Sequence, residues 1–415
     1  MLRSDVEAHL RDEFEDDGYL FPDYEGYCFA NVSHTATSLL GAETGRTLPE
    51  DVFDGVETDG VDTVLVVLID GFGLQQWKRD RERHALLDRI TERGVVTPLT
   101  SVYPSETAAA ITTLHTGALP AEHGVVGWNV YEPTVDEEFE ALPFLTKDGT
   151  PPTGLTRDDV ANADPLYPEL ADAGIGARFV SPFADGVEGV EGYPYEDVVE
   201  VGDRLRDALV DTDGDGLSYV FTYLPQIDAA SHADGTEAES YQETLASLCE
   251  QLERAVESVG DDTAEDALLV VTADHGHVDT DPARNVDLGG IDGLPDSLRQ
   301  RADGTPIRFS GSPRNVHLQL RPDRVDAVAD RLRGELDARV FTREEVLGRD
   351  LFGDVEPSGA FRRRLGDLVL THRNLGTWWG DAEPGELELI GMHGGLHPHE
   401  MLVPFAAVRL SELRE

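Results

Sequence analysis

Residues 63–69 read TVLVVLI, an almost unbroken apolar run that stops at Asp70-Gly71. Lacking the polar alternation of a half-exposed strand, such a run needs cover on both faces. Comparable runs recur at 95–102, 177–180, 218–224 and 267–272. Helix-length segments separate them at 75–93, 107–115, 164–173 and 237–259, the last with apolar residues at helical spacing. Strands alternating with helices predict an α/β fold: a mostly parallel central sheet with helices on both faces.

The alternation weakens after Asp279, where Gly, Pro and Arg precede NVHLQL, VDAVADRLRGEL and REEVLGRDLFG. That texture predicts a smaller α+β insert over 281–365, from which RLGDLVLTH leads back toward the main sheet. The α/β core then comprises 61–280 and 366–415. Residues 1–60 are expected to form an entry segment on that core, with only YCFANVSHTATSLLG reading as packed. There is no internal repeat.

Asp and Glu number 82 against 33 Lys and Arg, a formal net charge of −49, and Lys78 and Lys147 are the only lysines. Such a surface repels itself unless salt screens it, which fits a high-salt cytoplasm of the haloarchaeal kind. With no basic stripe to release counterions, DNA, RNA and anionic membranes are poor partners. An apolar share of 40%, gathered into runs, argues against disorder. Cys28 and Cys249 alone can build neither a disulfide framework nor a Cys-rich zinc site. The opening MLRSDVEAHLRDEFEDD has no apolar leader core, and no stretch reaches the roughly 18 apolar residues of a membrane helix. A cytoplasmic location is therefore expected.

Three buried runs end near acids: LVVLI in Asp70, YVFTYLPQI in Asp228 and LLVVTA in Asp274. Ligands of open parallel sheets bind beyond the carboxyl ends of the strands, where these carboxylates can converge. In a chain this acidic, an Asp after a strand is weak evidence by itself. The 13 histidines discriminate better. His232 follows Asp228 by four residues, one helical turn; His275 directly follows Asp274 in TADHGH; His393 opens HGGLHPHEMLVPF. Carboxylate with neutral imidazole suits zinc or manganese. In YPSETAAAITTLHTG, Thr107 falls in the first turn of a short helix that Gly117 can end. A hydroxyl there faces unpaired N–H groups and the positive end of the helix dipole, a setting for phosphate and for a nucleophile. The competing reading of Thr107 is a helix cap.

Asp70, PSET with Thr107, PQIDAASH, TADHG and HGG, in this order, resemble the alkaline phosphatase superfamily and within it the nucleotide pyrophosphatase/phosphodiesterase branch. The resemblance spans roughly 60–400 in widely spaced blocks. It implies a two-metal phosphodiesterase, with zinc or manganese as the ions. Asp70, Asp274 and His275 would hold one ion together with Thr107, and Asp228, His232 and His393 the other. Two ions about 4 Å apart can clamp the attacking and leaving oxygens of an in-line displacement. A covalent phospho-threonine would form on Thr107 and then be hydrolysed. The substrate would be a small phosphorylated molecule, such as a nucleotide.

Two departures touch the substrate rather than the metals. TAAA stands where phosphodiesterase members carry TFPN, and HGVVGWN sets Asn129 one residue beyond the familiar spacing of a phosphate-oxygen donor. Asn129 is thus either such a donor or a structural turn residue. Other readings on the same scaffold are a phosphomonoesterase, a phosphonate hydrolase, a phosphoglycerate-mutase-like phosphotransferase, or a metal-stabilised binding module without turnover. Asp211–Gly216 begins like a calcium loop, but its twelfth position is Thr222 instead of Glu, so an acidic turn explains it better. His277, His397 and His399 read as supporting residues, substrate contacts or solvated turns. Trp128, Trp378 and Trp379 read as base-stacking or core residues, and Arg314 and Arg373 as phosphate clamps on equally open terms.

Overall fold

In the computed structural model, which describes residues 1–42, 45–184, 186–210 and 216–414, Thr63–Ile69 is a strand buried along its whole length. It pairs in parallel with Leu217–Leu224 on one side and Ala267–Thr272 on the other. Beyond Leu217–Leu224 the sheet continues in parallel through Ile175–Val180 to Glu191–Tyr193. On the opposite flank Leu402–Arg409 runs antiparallel between Ala267–Thr272 and Val95–Thr100. Seven strands therefore form one mostly parallel sheet flanked by helices, with a single strand against the common direction. The longest helix, Glu239–Ser258, buries Tyr241, Leu245, Leu248, Leu252, Ala255 and Val256, the period expected of a face laid on a sheet.

The 75–93 segment is not one helix. It divides into Leu74–Asp80, a 3-10 turn Arg81–Arg83, and Ala85–Arg93. At the junction Asp80 is fully buried and accepts hydrogen bonds from Arg79, Tyr241 and Gln242, and His84 turns extended at φ −125°.

A second seven-stranded sheet is antiparallel throughout, in the order Ala338–Thr342, Leu368–His372, Asn315–Leu318, Gly311–Ser312, Asn129–Glu132, Glu137–Glu140, Leu145–Thr146. This corrects the expected course of the insert. Leu368–His372, which RLGDLVLTH was expected to carry back to the main sheet, is an inner strand of the second one, and the hairpin from Asn129 supplies its other half. The apolar LVL suits either sheet, because Leu368 and Leu370 pack in one cluster and Val369 in another. Helix Val325–Glu335 covers one face through Val328, Ala329 and Leu332.

The N-terminal residues shield the edge strand Val95–Thr100. Leu2 bridges to Val96 and Cys28 to Thr100, while Phe29, Val32 and Ala36 enter the main core. Among the described residues no helix is long and apolar enough to cross a membrane. The calcium-loop-like stretch lies outside the described residues except for Gly216.

Candidate active site

The carboxyl ends of the inner parallel strands deliver the acids. Asp70 follows Thr63–Ile69, and its N–H donates to Leu224 O at 3.0 Å. Asp274 lies just beyond Ala267–Thr272. Asp228 and His232 share one face of the helix Gln226–Asp234, which follows Leu217–Leu224. His393 arrives differently: the two-residue strand Gly391–Met392 pairs antiparallel with Val278–Asp279, Met392 opposite Val278. That register carries His277 and His393 to the same end of the ladder.

Two clusters result. Asp70, Asp274 and His275 form one; Asp228, His232, His277 and His393 form the other; within each, one potential donor atom per residue lies within 4.8 Å of the rest. The rings of His275 and His393 stack at 3.6 Å between centroids, so the clusters adjoin. Thr107 opens the helix Thr107–Thr116, which ends at Gly117 in the left-handed conformation (φ 67°). Its Oγ1 is 3.1 Å from His275 Nε2, and the residue is 7% exposed.

Asp70, Asp274 and the four histidines each have one polar atom tied to the protein and the other turned inward. Asp274 Oδ1 accepts the N–H groups of Gly71 (3.2 Å) and His275 (3.0 Å). Asp70 Oδ2 accepts the Tyr223 hydroxyl hydrogen. Asp274 Oδ2 and Asp70 Oδ1 are buried without hydrogen-bond partners among the described residues. The Nδ1 atoms of His232, His275, His277 and His393 lie 2.6, 3.1, 3.0 and 3.2 Å from the carbonyl oxygens of Gly391, Gly276, Gly71 and Ser105. A carbonyl only accepts, so these contacts put the ring proton on Nδ1 and leave Nε2 as an inward lone pair, the arrangement of metal-binding histidines.

The electrostatics are unbalanced among protein groups alone. Burial, reinforced by Asp228, pushes the Asp70 carboxyl well above the usual range; burial and Asp70 do the same to Asp274. Burial depresses His232, but Asp228 overcomes it and lifts the imidazole to about 9. His232 Nε2 and His393 Nε2 nevertheless face each other at 3.2 Å. A divalent cation in place of the His232 proton would satisfy both facing nitrogens and the orphaned buried carboxylate oxygens together, and an N/O donor set of this kind fits zinc or manganese.

Asn129 does not join either cluster through a hydrogen bond among the described residues. It starts a strand of the second sheet, and its Nδ2 donates to Gly311 O at 3.0 Å, a commitment the turn-like HGVVGWN hides. Neither arginine is a free clamp: Arg314 is fully buried and donates to both oxygens of Glu400 and to the Leu375 and Arg373 carbonyls, and Arg373 pairs with Asp17 and Asp337. A buried guanidinium must be paired, and Arg314 ties Glu400 to the backbone at Arg373 and Leu375 instead. Trp378 and Trp379 are core residues whose ring N–H groups donate to Glu383 and to Arg308 O.

Three residues escape a reading of the sequence. Tyr223 looks like strand packing in YVFTYL, yet it orients Asp70. Glu106, the acid of PSET, is buried with its carboxyl raised to about 7 by that burial, and it accepts the Trp128 N–H at 2.6 Å. Phe183, beyond Ile175–Val180, is 72% exposed and lies 6.3 Å from the Tyr223 ring, an aromatic face beside the crevice. The only advance signal is position just after or within a core strand.

Acids and histidines gathered at the carboxyl edge of a parallel sheet, around a hydroxyl at a helix start, define the class of the alkaline-phosphatase-like hydrolases. The sequence model of the type I phosphodiesterase / nucleotide pyrophosphatase family matches residues 64–396, and the chain belongs to that metal-dependent family of phosphoester hydrolases. Solved structures agree in fold. Murine ectonucleotide pyrophosphatase/phosphodiesterase 5 superposes with a TM-score of 0.64 at 20% identity, covering 83% of this chain and 87% of that one. The human form gives 0.64 at 17% identity, with the same coverages of 83% and 87%. Phosphonoacetate hydrolase from Sinorhizobium meliloti gives 0.59 at 20%, covering 84% of this chain and 93% of its own. The murine protein has also been solved in an inactive form in complex with AMP.

Proposed function

We propose that this chain hydrolyses phosphodiesters of small molecules, nucleotides among them, by attack of Thr107 Oγ1 on phosphorus. The observation that carries the reading is the convergence of orphaned carboxylate oxygens and inward Nε2 atoms on the surroundings of one hydroxyl. Two divalent cations, one held by Asp70, Asp274 and His275 with Thr107 and one by Asp228, His232 and His393, would lower the hydroxyl pKa and stabilise the attacking and leaving oxygens.

The chain's own groups do the rest. Thr107 Oγ1 bonds to phosphorus as its proton passes to solvent water, the P–O bond to the leaving alkoxide breaks on the opposite side, and water then cleaves the P–Oγ1 bond of the threonine ester, returning a proton to Oγ1. The free N–H groups at the start of helix Thr107–Thr116 attract the non-bridging oxygens and orient the phosphoryl group. Tyr223 and the backbone carbonyls fix the carboxylates and rings, so little rearrangement accompanies attack. Phe183 offers its exposed face to a flat leaving group such as a nucleobase.

The test is an assay in molar salt with zinc or manganese on bis-p-nitrophenyl phosphate and p-nitrophenyl phosphate. Preference for the diester supports the proposal. Preference for the monoester makes the chain a phosphomonoesterase, and bound metal without turnover makes it a binding module.

A further inference from the structure

His277 is 2% exposed and prepared in the same way as the histidines of the Asp228 cluster. Its Nδ1 donates to Gly71 O at 3.0 Å, so its Nε2 lone pair faces Asp228 Oδ1 at 3.1 Å. Two acceptors hold that separation only with a proton or a cation between them. His232 Nε2 and His393 Nε2 approach the same oxygen at 3.3 and 3.5 Å. Of the three rings, His277 is thus the nearest to Asp228.

The backbone makes room for this ring. Gly71 has φ +72°, and a Cβ there would stand 2.2 Å from His277 Cε1. The turn that follows Asp70 is therefore shaped around His277, and any side chain at position 71 displaces it. The short ladder that sets Met392 opposite Val278 carries His277 and His393 to the same end.

We propose that His277 is a fourth protein ligand of the cation at Asp228, making that site one carboxylate and three imidazoles. The inference rests on the proposed reading of this cluster as a divalent-cation site. Four protein donors bind more firmly than three and leave a substrate oxygen to enter as an added fifth ligand, without an open position of the three-ligand kind. Both sites then have four protein ligands: Asp70, Asp274, His275 and Thr107 at one, a carboxylate and three imidazoles at the other.

Chelator-competition titrations and cobalt(II) absorption spectra of wild type, His277→Ala, His277→Gln and Asp228→Asn test this. Loss of His277 should weaken one of the two bound cations by at least about 100-fold and change the spectrum of that site, while affinity at the Asp70 site is kept and certifies the fold. Unchanged affinity and spectrum in both His277 variants, with one cation lost from Asp228→Asn, would overturn the fourth ligand and leave the metal reading intact. If Asp228→Asn also binds both cations normally, the metal reading itself fails. X-ray absorption on the wild-type protein carrying both zinc ions needs no variant: an average of about two imidazoles per zinc, from His275 at one site and three rings at the other, supports the proposal, and about one and a half refutes it.

Discussion

Tyr223 gives Asp70 a hydroxyl hydrogen on Oδ2, leaving Oδ1 as the oxygen that faces His275 Nε2 at 3.2 Å. A carboxylate freed from such a tether can rotate away from its working position. Tyr223→Phe keeps the ring and deletes the tether, so cation affinity or kcat/KM should fall about 10–100-fold with little change in folding stability. Metal titration beside steady-state kinetics checks this, and wild-type values for both would remove Tyr223 from the support of Asp70. The contrast with Arg314 is instructive at the same scale. Arg314 reads as a candidate phosphate clamp in the sequence, but full burial against Glu400 commits it to structure.

At the scale of elements, Glu132 locks the strand Asn129–Glu132 to the helix Gly359–Arg364 by accepting from Arg363 at 2.7 Å and Arg364 at 2.8 Å. Glu132→Gln leaves the buried Arg364 without its counter-charge and should cost about 3–5 kcal/mol in urea unfolding. Although burial opposes it, these partners hold the Glu132 carboxyl at about 2, below its ordinary 4.5. Its stabilisation is thus complete above pH 4.5 and is lost as pH falls toward about 2. An acid-unfolding curve identical in wild type and Glu132→Gln would contradict the assignment. The same elements show what a sequence can carry. The central parallel strands were legible as apolar runs, three of them followed by an acid, and those acids with His232 and His275 were legible because they come just after the runs. Membership of Leu368–His372 in the second sheet was not, since it depends on pairing register. Nor was the place of His277: a two-residue ladder, too short to leave a pattern, turns an apparently solvated turn histidine into a buried one.

For the whole molecule, a net charge of −49 sets the conditions for stability. The Debye length falls from about 10 Å at 0.1 M salt to about 3 Å at 1 M, so Tm should climb between these concentrations of KCl. A Tm independent of KCl would show that the acidic surface does not limit folding. Acid acts through other groups. Burial depresses His123 and His317 to about 3, and His115 and His372 to about 4, from 6.5. Their neutral forms favour the fold above pH 6.5, and stability is lost as pH falls below that value, by up to about 1.4 kcal/mol per pH unit for each fully buried ring. Urea midpoints measured from pH 7.5 to 5 should therefore decline, and a flat profile would contradict the neutral burial of these rings. Fold, charge and both clusters bear on one hydroxyl, and rapid quenching during turnover of bis-p-nitrophenyl phosphate, followed by peptide mass mapping, interrogates it directly. The expected result is a p-nitrophenylphosphoryl adduct on Thr107 in the wild type, with Thr107→Ala retaining its cations, forming no adduct and losing at least about a thousandfold in rate. An adduct on another residue, or a metal-loaded Thr107→Ala enzyme turning over at the wild-type rate, would contradict the account.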